Sequence, residues 1–192
     1  MTSILDTDNA LTSWATVQDY GGIPEDNRAY AEGLINGASW MLNSMTNRKL
    51  LARALTEYYD GDGTNTLLLR NPPLNLVTNL YDDPAREWGT DTIVSTDNYV
   101  TYEAQGKIVA TETSFSVGAK VIKIVYNGGY ATVPYDLAMG CIELVCYWYD
   151  RYKNKRYGIK SISTEARNIT YMQDIPSTVR ELTDLYRKAW IL

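Results

Sequence analysis

The sequence predicts an α+β fold: a helical core into which a small antiparallel β domain is inserted. Three observations carry this. Apolar residues at helical spacing are confined to the two ends of the chain, over 13–46 and 134–189. Between them, from about Leu51 to Tyr130, short β-branched and aromatic runs alternate with clusters of Gly, Asn, Asp and Pro. Neither helical part can bury its apolar face alone, so the two must pack together. The expected organisation is one domain over residues 1–192, with 51–130 as a β-rich insertion.

Each element has a local reason. Ser13 is a capping residue for a short helix with Trp14 and Val17 on one side, ended by Gly21-Gly22. Pro24, Glu25 and Asp26 open a longer helix whose stripe is Leu34, Ile35, Ala38, Met41, Leu42 and Met45. It fades around Thr46-Asn47-Arg48. Gly33 and Gly37 weaken that helix, which predicts close approach of a neighbour. In the insertion, Leu55, Glu57 and Tyr59 alternate with Thr56 and Tyr58 ahead of a turn cluster from Asp60 to Asn65. Thr66 to Arg70 and Leu74 to Tyr81 read as strands on either side of Asn71-Pro72-Pro73. After a loop through Trp88-Gly89-Thr90, Tyr99 to Glu103 and Lys107 to Ala110 form a hairpin around Gln105-Gly106. A strand from Val121 stops at Asn127-Gly128-Gly129, completing a small sheet or barrel-like unit.

The predicted centre comes next. Pro134 suits a first helical turn and Asp136 the positive pole of the helix dipole. From about Val133 to Tyr149, Leu137, Cys141, Leu144, Val145 and Trp148 line one face, while Met139, Ile142, Cys146 and Tyr149 make much of the rest apolar. A helix apolar nearly all round is buried. With Glu143 inside it, this one is too short and interrupted to span a membrane. A basic segment follows, with Arg151, Lys153, Lys155, Arg156 and Lys160, then a polar loop from Ser161 to Asp174. The last helix opens at Asp174 or Ile175 with Pro176 in its first turn, and Val179, Leu182, Leu185, Tyr186 and Ala189 form its apolar side.

Composition narrows the chemistry. The net charge of −5 argues against a dedicated nucleic-acid binder. No cationic leader precedes an apolar run, so neither a signal peptide nor a membrane segment is expected, and the compartment is a reducing cytoplasm or something assembled inside one. Without a single histidine there is no Ser-His or Cys-His pair and no imidazole relay. Cys141 and Cys146 point about 140° apart on a helix and read as small buried hydrophobes. No metal site is expected. The stretch Asp60-Gly61-Asp62-Gly63-Thr64-Asn65 places Asn65 where a calcium loop needs glycine and Asn71 where it needs glutamate, so it reads as a β turn. Glu57, Asp60, Asp62, Asp82, Asp83, Glu87 and Glu103 are the carboxylates from which a glycosidase-like pair would be drawn. Phosphate-cradling glycine motifs are absent. Of the sixteen tyrosines and five tryptophans, against one phenylalanine, core and surface packing accounts for most, and amphipathic rings of this kind also suit a surface buried against a partner.

Taken in order, several segments resemble the head–tail connector (adaptor, or head-completion) proteins of tailed bacteriophages. They are the N-terminal helix ending in Asn47-Arg48, the strand Thr56-Glu57-Tyr58-Tyr59-Asp60-Gly61, and Pro72-Pro73-Leu74. Tyr126-Asn127-Gly128-Gly129-Tyr130, Val133-Pro134 with Asp136-Leu137, and Ile175-Pro176 with Val179, Leu182 and Tyr186 continue the series. The resemblance implies a structural virion protein, not an enzyme, with no catalytic residues and no cofactor. It is made in the host bacterial cytoplasm and placed at the head–tail interface. Its implied partners are the portal protein, a tail-side stopper or tail-completion protein, and further copies of itself in a ring of about twelve. DNA passes through the channel without sequence-specific binding. Arg151, Lys153, Lys155, Arg156 and Lys160 are the candidate docking residues, facing an acidic surface of the portal or of the next subunit. Stabilisation of the preceding helix end is the simpler role for the same charges. A β-rich carbohydrate-binding module, with Trp88 and the tyrosines as stacking platforms, is the alternative, and a carboxylate-only hydrolase the third reading.

Overall fold

A computed structural model describes residues 2–155, 161–164, 167–170 and 175–187. Its class is α+β. Among these residues, those of 1–48 and 133–192 form one compact unit and those of 49–132 another.

The helical unit begins with helix α1, Trp14–Gly21, where the Ser13 side chain accepts from the Thr16 amide and Gly22 takes a left-handed φ of 57°. A 3-10 turn over Glu25–Asn27 then leads into α2, Arg28–Thr46. The acidic residues therefore sit in the 3-10 turn, and the α-helix proper starts at Arg28. Asn47, with φ 55°, closes α2. Helix α3 is Tyr135–Lys153 and helix α4 is Ser177–Tyr186.

α3 packs against α1, α2 and α4. Leu137, Cys141, Ile142, Leu144, Val145 and Tyr149 are buried, whereas Met139, Cys146 and Trp148 are half-buried. The helix is thus buried over about half its circumference, and not nearly all round. α4 departs further from expectation: Leu185 is 81% exposed, while Val179 and Thr183 are buried. At about 100° per residue, Leu185 lies some 60° beyond Leu182 and leaves the stripe. Ala189 lies outside the described residues.

α2 differs most. Ile35, Ala38 and Leu42 are buried as the stripe requires, but Leu34, Met41 and Met45 are only half-buried. In their place α2 buries Glu32, Ser39, Asn43 and Thr46. For Glu32 and Ser39 the reason is an N-terminal strap laid along the helix, whereas the Thr46 hydroxyl donates back to the Leu42 carbonyl at 2.8 Å. The Glu32 carboxylate accepts from the Ile4 amide (2.8 Å), the Ser3 hydroxyl (3.0 Å) and Arg28 Nε (2.9 Å). One turn on, Asn36 accepts from the Asp6 amide and donates to the Ile4 carbonyl, and Ser39 Oγ accepts from the Leu11 amide at 3.0 Å. Burial pushes the Glu32 carboxyl up, but these three donors outweigh it and hold it below the ordinary range. A Cβ at Gly37 would sit 3.6 Å from Trp148 of α3, whereas Gly33 faces open space, so only one of the two glycines meets a neighbouring helix.

The other unit holds strands β1 (Arg53–Asp62), β2 (Thr66–Leu68), β3 (Leu74–Asp82), β4 (Tyr99–Tyr102), β5 (Lys107–Ala110) and β6 (Val117–Gly128). They form two antiparallel sheets, β1-β6-β3 and β2-β5-β4. β1 runs on through Asp60-Gly61-Asp62, with a register shift between Tyr59 and Gly61, so the turn begins only at Gly63. A Cβ on Gly61 would lie against the Ser116 carbonyl, which is why glycine allows the strand to continue past the bulge. β2 stops two residues short of the Thr66-to-Arg70 reading, and β6 starts four residues before Val121. Leu67 and Ile108 from one sheet and Leu80, Ile122, Ile124 and Tyr126 from the other share one apolar cluster. A further hairpin, β7 (Ser161–Thr164) with β8 (Arg167–Thr170), occupies part of what reads as a polar loop.

Leu144 is fully buried in α3. Leu144→Asp places an unpaired charge there and should cost several kcal/mol. Chemical denaturation of the variant measures this, and an unchanged midpoint would remove α3 from the centre of the fold.

Candidate docking surfaces

The basic segment emerges where α3 ends. Arg151 and Lys153 lie in its last turn, close to the negative pole of the helix dipole. The Arg151 guanidinium sits 5.7 Å from the Tyr147 ring centroid, one turn back. Asn154 closes the helix, its amide donating to the Asp150 carbonyl at 3.0 Å and its side chain to the Asp150 carboxylate at 2.6 Å. Lys155 then adopts a left-handed φ of 52°. Lys153 and Lys155 are exposed and Arg151 is half-buried. Arg156 and Lys160 lie outside the described residues.

At the other end of α3 a groove of about 660 Å³ opens between α1 and α3. Leu11, Ala138, Met139 and Ile142 give it apolar walls, and Tyr20 and Tyr135 flank it. Asp19 is the one charged side chain among its lining residues. Sequence spacing does not announce this groove, because its residues come from positions about 120 apart.

The carboxylates of the β unit do structural work. Asp83 accepts from the amides of Ala85 (2.9 Å), Glu87 (2.8 Å) and Trp88 (2.7 Å), and so ties down the loop after β3. The Trp88 amide, foremost among these donors, holds the Asp83 carboxyl below its ordinary range against the opposing effect of burial. Asp60 accepts from the Lys120 amide, Asp82 from the Ser116 amide, and Asp62 from both the amide and hydroxyl of Thr64. Glu57 is buried against Asn71 Nδ2 (2.8 Å) and the Tyr59 hydroxyl. Burial, then the neighbouring Glu57 charge, pushes the Tyr59 and Tyr126 hydroxyls up. Among the described residues no group of three or more acidic or cysteine side chains is placed to hold a metal ion.

Trp88 does not form an open stacking platform. Its ring meets Tyr58 and Tyr81 edge-on, at 61° and 79°. Lys123 Nζ lies 5.0 Å from the Tyr81 centroid and 5.6 Å from that of Trp88. The ring faces are thus engaged by neighbouring rings and by a cation of the chain's own β6. Both cysteines are free thiols. Burial raises Cys141 to about 11, and Cys146 is also raised by burial, so neither is a ready nucleophile.

Among the described residues, then, acidic and aromatic side chains hold loops and helix ends in place, and the exposed features are the α1–α3 groove and the charged end of α3. The chain belongs to the head completion protein family, which matches residues 10–189. Solved structures share its fold. A chain from the neck of an empty GTA particle, computed with C6 symmetry, is 18% identical with a TM-score of 0.64, covering 100% of this chain and 96% of that one. A chain from the neck of the native GTA particle, computed with C12 symmetry, is 19% identical with a TM-score of 0.61, covering 100% and 95%. A third, from the virion of a native gene transfer agent (GTA) particle, is 17% identical with a TM-score of 0.64. No curated protein matches the chain. No helix among the described residues is long and apolar enough to cross a membrane.

The Asp83 clamp has a defined pH signature. A depressed folded-state value means its stabilisation is complete above the unfolded carboxylate value of about 3.9 and is lost as pH falls through the lower folded value. Asp83→Ala should therefore shift tryptophan emission to the red at neutral pH, by freeing Trp88, while the wild type shows the shift only in acid. Emission spectra of the two proteins from pH 7 to 2 test this.

Proposed function

We propose that this protein is a head–tail connector that forms a ring beneath the portal, extends the DNA channel and offers a docking surface to the next tail-side component. The observation that carries this reading is the family match along nearly the whole chain. The fold of chains from particle necks treated with C6 and C12 symmetry supports a cyclic assembly, and a ring matched to a portal holds about twelve copies. Its partners are the portal protein, a tail-side stopper or tail-completion protein, and its own copies. Its place is the virion, after synthesis in the host bacterial cytoplasm. The role is assembly, not catalysis, and it calls for no cofactor. The net negative charge suits a channel along which DNA slides without adhering.

Mixing the protein with purified portal particles should add ring-shaped density in electron micrographs. Saturating protein without added density would overturn the connector reading.

In this assembly Arg151, Lys153, Lys155, Arg156 and Lys160 form the docking segment, which meets an acidic surface of the portal or of the next subunit in the ring assembled on it. Complementary charge chiefly speeds and orients such docking, and salt screens it. A variant with Lys153, Lys155 and Arg156 changed to Glu should unfold at nearly the wild-type temperature yet attach poorly to portal particles. Normal attachment would remove the docking role, and a large loss of DNA binding instead would move the segment to the channel wall.

A further inference from the structure

Within that ring, we propose that the C-terminal turn of α3 in one copy docks into the α1–α3 groove of the next copy. The inference rests on the ring reading and names the two faces that meet.

The groove specifies its occupant chemically. It has apolar walls, Tyr20 and Tyr135 stand 61% and 80% exposed beside it, and its one charge is the Asp19 carboxylate. Such a trough takes an apolar or aromatic group that carries a cation beside it. The last turn of α3 presents that combination. Tyr152 is 44% exposed, and Lys153 follows it in sequence, also exposed. The Tyr152 ring lies 4.2 Å from that of Tyr30, centroid to centroid, so it is already held in position and loses less freedom on docking.

The occupant must come from another molecule. The groove is lined by Tyr135, Ala138, Met139 and Ile142, in the first turns of α3, and Tyr152 and Lys153 are in its last. Along one rigid helix the two lie about 20 Å apart, so no copy can fill its own groove with its own turn. Two unlike patches at the two ends of a single helix make a head-to-tail contact, which repeats from copy to copy and closes into a ring when the rotation allows. Charge complementarity between Lys153 and Asp19 fixes which end meets which.

The test is a charge exchange, read as ring density on portal particles, with circular dichroism confirming that each variant is folded. Asp19→Lys and Lys153→Asp should each weaken ring formation about tenfold, because each sets like charges against one another. The protein carrying both changes should recover most of that loss. As a second measure, Thr16→Cys together with Lys153→Cys should give a ladder of disulfide-linked multimers on the portal, absent from either single variant. Wild-type rings with unaffected single variants, or a double variant no better than the singles, would overturn this contact. A loss at Lys153 that Asp19→Lys does not restore would assign Lys153 to the portal instead. Absence of rings from the wild-type protein would overturn the ring reading itself.

Discussion

The fold depends on closing the β unit at its base. The helices that bury α3 come from both ends of the chain, so residues 49–132 must leave after Arg48 and return before Val133. A short hydrogen-bonded stem does this. The Tyr130 amide donates to the Leu50 carbonyl at 2.7 Å, the Ala52 amide to the Tyr130 carbonyl at 3.0 Å, and Leu51 and Tyr130 form a parallel bridge. Gly129 makes this possible. At its φ of 104° a Cβ would lie 2.8–2.9 Å from the carbonyl oxygens of Leu51 and Leu50, so only glycine allows the two chain segments to approach this closely. Closure entropy rises slowly with loop length, so a stem of this size suffices for a long insertion.

A second economy lies in the strap. Residues 3–11 pair with no strand, and while the Asn9 and Ala10 amides turn back to the Asp6 carbonyl, those of Ile4, Asp6 and Leu11 need acceptors from elsewhere. Glu32, Asn36 and Ser39, spaced one turn apart along α2, supply the missing acceptors. The helix thereby acts as a pairing edge for extended chain, and Leu11 is carried down to the core at 2% exposure. This is why α2 buries Glu32 and Ser39 where an apolar stripe continues in the sequence.

The sequence is most informative where one local rule decides the structure. Ser13 and Gly22 bound α1, Gln105-Gly106 turns the β4–β5 hairpin, and the 3.6-residue spacing finds α3 and its buried Leu137, Cys141, Leu144 and Val145. It is least informative where distant segments meet. The polar stripe of α2 makes sense only once residues 3–11 lie on it, and Glu57 and the acidic turn residues resemble a catalytic inventory until the amides they accept from are located. The bulge at Gly61 hides the continuation of β1 behind a perfectly ordinary turn composition. The candidate site follows the same division. Position at the end of α3 places Lys153 and Lys155, whereas the groove between α1 and α3 exists only in three dimensions.

The carboxylates that accept from amides and hydroxyls have a colloidal consequence. Glu32, Asp62 and Asp83 are all held below their ordinary range by the groups they bind. Each keeps its negative charge into acid that would neutralise a free side chain. On acidification these three sites therefore go on repelling other negative surfaces after the same side chains in an unfolded chain have been neutralised.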